Sequence, residues 1–145
     1  MNRTYARAPF FANRAQGFLD CINRDWRNLS EFNCELIQLF ANQCQINTPV
    51  VLSSELDVSG ISGNELILGI CEKVGADIYV SGPNGRNYLD SSAFDSKEIK
   101  LVFHDYEHPF YPQLHSPFIS HLSTFDALFN VDEIEELVKG FSIPF

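Results

Sequence analysis

The chain has no run of about 18 apolar residues, the length a bilayer-spanning helix requires, and its N-terminus lacks the charged-then-apolar order of a signal peptide. Both absences point to a cytoplasmic protein with no membrane insertion. Basic charge is scarce as well: 10 Lys and Arg stand against 19 Asp and Glu, for a net charge of -9. Such a balance repels phosphate backbones and anionic lipid surfaces unless a basic patch is concentrated somewhere. Arg3, Arg7, Arg14, Arg24 and Arg27 enrich the start but are scattered, which argues against nucleic acid as a partner. Paired cysteines are missing too. Cys21, Cys34, Cys44 and Cys71 form no C-x-x-C pair and keep no regular spacing, so reduced core thiols are expected, not a disulfide framework or a zinc site. The Walker ending, the G-x-G-x-x-G spacing and the G-x-S-x-G elbow are all absent.

What is present suits one folded domain. The 145 residues are 45% hydrophobic and include thirteen phenylalanines, enough to bury a core and to make disorder a poor description. Apolar residues at helical spacing predict a helix from Ala12 to about Trp26 and a second with the stripe Leu29, Phe32, Leu36, Leu39, Phe40 and Cys44. Ser30 either caps that second helix or lies in its first turn. Pro49 introduces Val50-Val51-Leu52, a β-branched run suited to a buried strand. A helix from Asn64 to Val74 follows, closed by Gly75, and a strand begins at Asp77. Asn87 to Asp95 reads as a short helix or turns and Ile99 to Phe103 as a third strand. Three prolines keep Pro109 to Pro117 irregular. Helices around Leu122 to Phe129 and from Asp132 to Lys139, the latter ended by Gly140, complete the chain. The expected fold class is α/β: a small two- or three-layer Rossmann-like domain whose short parallel sheet, with strands near 49–52, 77–80 and 99–103, is flanked by helices.

In such a sheet ligands sit at the carboxyl ends of the strands, where loops converge. The stretch Asp77 to Asp90 is the most suggestive. Its strand runs into Ser81-Gly82-Pro83-Asn84-Gly85-Arg86, a loop whose N–H groups and guanidinium could hold a carboxylate or phosphate. The same composition also makes an ordinary tight turn. Ser53, Ser54 and Glu55 would lie on the same rim and could orient hydroxyls or simply cap the next element. His104 to His108 would complete it. His104 and His108, with Asp105 beside the first, imitate a zinc motif, but Pro109 biases His108 away from the helix that motif needs, so no metal is expected. His108 is the candidate for proton transfer, and Tyr111 and Gln113 are candidate ligand contacts.

Several separate segments resemble the WbqC-like protein family: Tyr79-Val80-Ser81-Gly82-Pro83 with Gly85, Tyr88 and Leu89; Tyr106-Glu107-His108-Pro109 with Tyr111 and Gln113; and Pro117-Phe118, then Leu122-Ser123 with Asp126, Leu128, Phe129 and Asn130. Upstream, Tyr5, Ala8-Pro9-Phe10 and Thr48-Pro49 with Ser53-Ser54-Glu55-Leu56 fit the same pattern. The resemblance implies a role in bacterial surface polysaccharide assembly, notably O-antigen synthesis. A nucleotide-sugar or similar anionic metabolite would be the partner and small-group transfer the chemistry. It leaves the cofactor and the substrate open. The family's first block, with its Q-P-x-Y-x-P-W-x-G-Y-F turn, has no counterpart here, so an N-terminally shortened relative is expected. Such a chain could be a non-catalytic binding module, or could homodimerise through an exposed sheet edge. A metal-dependent hydrolase centred on His104 and His108 is the third reading.

Overall fold

A computed structural model describes residues 2–139. Its helices are α1 (Asn2–Tyr5), α2 (Phe11–Arg14), α3 (Gln16–Asn23), α4 (Leu29–Gln43), α5 (Gly63–Val74), α6 (Ser91–Asp95), α7 (Thr124–Asn130) and α8 (Ile134–Lys139). The strands are β1 (Ile78–Ser81) and β2 (Lys100–Phe103). They pair in parallel, Ile78 opposite Lys100 and Ser81 opposite Phe103. The α/β class with a short parallel sheet is therefore correct. Gly140, expected to end α8, lies outside the described residues.

The chain divides into two compact units, residues 1–48 with 108–145, and residues 49–107. The first is helical. Phe18, Leu128, Phe129 and Ile134 are almost fully buried at its centre, with Tyr5, Phe11, Phe40 and Phe125 packed around them. Ring centroids 4.7 Å apart for Phe18 and Phe40, and 5.0 Å for Phe18 and Phe125, make this an aromatic core. The helix expected from Ala12 to Trp26 is broken at Ala15 into α2 and α3, and Trp26 lies beyond it, its indole N–H donating to the Cys21 carbonyl at 2.8 Å. Asn28, not Ser30, caps α4. Its Oδ1 accepts the Glu31 N–H at 2.9 Å while its amide donates to the Glu31 carboxylate at 3.0 Å, a reciprocal cap that leaves Ser30 in the first turn. Leu29, assigned to the buried stripe, is exposed, because the first turn of α4 extends past the core.

The second unit packs α5, α6 and the sheet about Cys71, Phe94 and Ile99. Gly75 closes α5 at φ 66°, the left-handed position that glycine occupies without strain. The parallel crossover runs from β1 through α6 to β2, with Tyr79 stacked on Phe94 at 5.6 Å.

One expected strand is not there. Val50, Val51 and Leu52 are exposed, and they belong to no sheet among the described residues. A β-branched run becomes a strand only where a neighbouring edge supplies hydrogen-bond partners, and Pro49 removes one donor at its start.

Candidate functional site

β1 delivers the chain directly into the turn Pro83–Asn87, a short 3-10 helix with proline at its start. Gly85 and Ser81 are buried inside that turn, whereas Gly82, Asn84 and Arg86 face outward. The turn uses some of the groups expected to meet a ligand. The Gly85 N–H donates to the Gly82 carbonyl at 3.0 Å, and the Ser81 hydroxyl donates to the same carbonyl at 3.2 Å.

Arg86 has a partner that the sequence did not single out. Its guanidinium donates to both carboxylate oxygens of Asp105, at 2.8 and 3.1 Å, and lies over the Phe103 ring with 4.7 Å to the centroid. The parallel register accounts for this. Ser81 and Phe103 sit opposite each other, so the segments that leave the two strands emerge side by side. Only spacing across 19 residues separates the pair in sequence, and no local pattern marks it.

Ser53, Ser54 and Glu55 form an exposed 3-10 turn in this same unit. Among the described residues no hydrogen bond joins them to the Ser81–Arg86 turn. His104 lies beside Tyr106, with ring centroids 6.1 Å apart. Residues 104–113 adopt no helix, and among the described residues no three His, Cys, Asp or Glu converge to hold a metal ion. No helix among the described residues is long and apolar enough to cross a membrane.

His108, Tyr111 and Gln113 belong to the first unit. Nδ1 of His108 lies 2.9 Å from the Pro109 carbonyl oxygen, within hydrogen-bond distance of an acceptor. The ring sits among Tyr111, Phe118 and His121 at centroid distances of 5.8, 6.0 and 4.8 Å. Gln113 clasps Ile119: its amide donates to the Ile119 carbonyl and accepts the Ile119 N–H, both at 2.8 Å. That clasp shapes the proline-rich segment, which includes the cis peptide Ser116–Pro117.

Behind this segment Tyr111 is buried and stands near Asp126, itself buried on α7. Burial pushes the Tyr111 phenol above its ordinary value; a hydrogen bond to Gln113 opposes this and the Asp126 charge adds to it. Tyr5 is raised by burial first and by Asp126 second. Both hydroxyls approach the carboxylate without closing a hydrogen bond onto its Oδ2, which has no partner among the described residues. Asp126 entered the sequence reading only as a point of family resemblance. A lone Asp in the first turn of a helix reads as a favourable dipole contact.

The sequence profile of the WbqC-like protein family matches residues 1–136. The chain belongs to the WbqC-like protein family. This WbqC-like chain is 30% identical over 129 residues to the uncharacterized protein Rv1507c of Mycobacterium tuberculosis, an alignment that covers 88% of the chain and 55% of the relative. It thus spans little more than half the length of the curated relative it matches. No solved structure matches it.

Proposed function

We propose that this WbqC-like chain binds a nucleotide-sugar or similar anionic metabolite in the assembly of bacterial surface polysaccharide, and that Arg86 grips the anion. The Arg86–Asp105 pair carries the reading. Asp105 presents two oxygens to a guanidinium that is about half exposed and is steadied by the Phe103 ring. A phosphate offers the same two-oxygen face with more charge, and bidentate Arg pairing suits either group. The pair itself is exposed, so its exchange for a ligand costs little. Ser53, Ser54 and Glu55, open to solvent in the same unit, are the candidates for meeting sugar hydroxyls. Small-group transfer onto the sugar is the reaction class the family context favours.

A thermal-shift panel of UDP- and GDP-sugars, with the free sugars as controls, tests this. Stabilisation is expected with the nucleotide-sugars alone, to be lost in Arg86→Ala. It should strengthen in Asp105→Asn, which removes the competing carboxylate. An unchanged melting temperature across the panel, or stabilisation that survives Arg86→Ala, overturns the reading.

A further inference from the structure

A cavity lies within the first unit. It measures about 120 Å³ and is lined by Thr4, Tyr5, Gln113, Leu114, His115, Ile119, Leu122 and Asp126. A single water needs roughly 10–15 Å³ on this measure, so the cavity has room for a compact organic group. It is too small for a whole nucleotide-sugar, since drug-sized ligands occupy roughly 300–1,000 Å³.

Its chemistry is lopsided. Leu114, Ile119 and Leu122 make the walls apolar, and no Lys or Arg lines it. Asp126 is 4% exposed, and among the described residues its Oδ2 accepts no hydrogen bond. The other carboxylate oxygen meets the Asn130 amide at 3.5 Å, the Tyr5 and Tyr111 hydroxyls stand toward the carboxylate, and the Gln113 amide is held by Ile119. A buried carboxylate without a compensating charge is costly for a fold to keep, and structures that keep one ordinarily supply a cation or several donors.

We propose that this cavity binds the primary ammonium group of a small amine with a short carbon skeleton, its charge on Asp126 and its carbons against Leu114, Ile119 and Leu122. An ammonium brings the missing positive charge and an N–H donor for Oδ2. The Tyr5 and Tyr111 hydroxyls already stand toward the carboxylate, and as acceptors they could share the remaining N–H groups.

n-Butylamine and n-butanol, matched in shape and different in charge, are the probes, followed by backbone-amide NMR of the whole chain. The ammonium is expected to shift the resonances of Tyr5, Leu114 and Leu122 saturably, and to bind at least about tenfold more tightly than the alcohol. Asp126→Asn should erase that preference. Should Asp126→Asn fail to fold, Leu122→Trp, which fills the cavity from its exposed side, must abolish the ammonium shifts. Equal binding of amine and alcohol, shifts confined to the Arg86 turn, or ammonium binding that persists in either variant overturns the assignment.

Discussion

Gly85 lies so close over Ser81 that a Cβ built on it would stand 2.1 Å from the Ser81 hydroxyl oxygen, far inside contact distance. The same Cβ would meet Leu89 Cδ1 at 3.0 Å and Phe103 Cε1 at 3.1 Å. The glycine is required by space, since the turn must pass directly over the end of β1. Gly85→Ala should therefore destabilise the protein by about 1–3 kcal/mol, the ordinary cost of overpacking. Adding Ser81→Ala removes the nearest obstacle and should return part of that loss. Urea melts of the two variants check this, and equal stability of the single and double variants would show that Ser81 is not the obstacle.

Arg14 supports α7 from a distance of more than one hundred residues. Its guanidinium donates to the carbonyls of Leu128 at 2.8 Å, Val131 at 2.5 Å and Asp132, groups left unsatisfied where the helix ends. The side chain is 17% exposed, so water replaces these bonds poorly. Arg14→Ala should cost about 2–3 kcal/mol, the range for hydrogen bonds from a charged group. Arg14→Lys should recover less than half, because an ammonium cannot fork across three carbonyls. Denaturant midpoints of the two variants decide it.

Two phenols, Tyr111 buried and Tyr5 partly buried, set an alkaline limit. Tyr5 and Tyr111 are both raised above the ordinary 10.0, so the unfolded chain releases their protons before the native one does. Their contribution is intact below pH 10 and falls as pH climbs through the raised native values. Urea midpoints should decline from pH about 10 upward, and less steeply in Tyr111→Phe. An identical slope in that variant would remove Tyr111 from the account.

Thiol reactivity should sort by burial. Cys21, Cys44 and Cys71 are buried, and desolvation pushes each thiol above the usual 9.0; for Cys21 the Glu35 charge adds to this and Arg24 opposes it. Cys34 is half-buried. Because the thiolate is the reacting form, a native sample treated with Ellman's reagent should show one fast thiol and release the other three on unfolding. Cys34→Ser should delete the fast phase. Several fast thiols would mean that the core opens more readily than its packing implies.

Local rules carried the elements whose causes are local. The helix Gly63–Val74 and its stop at Gly75, the irregular proline segment, and the two strands of the parallel sheet all follow from period and turn residues, whereas the crossover expected from the run at Val50 has no strand to start from. Cys71 fell on the buried face that its helical position required. Tertiary structure decided what depends on a partner far along the chain. Val50 to Leu52 had the composition of a strand and lacked an edge to join. Leu29 had the right period but lies beyond the reach of the core. Arg86 found Asp105 only because β1 and β2 run parallel, and Asp126 was isolated only once α7 turned inward among Tyr5 and Tyr111. Periodicity can state which face of an element is apolar. Which groups meet there, and which charge is left without an opposite, is settled by contacts between residues that no short window of sequence contains.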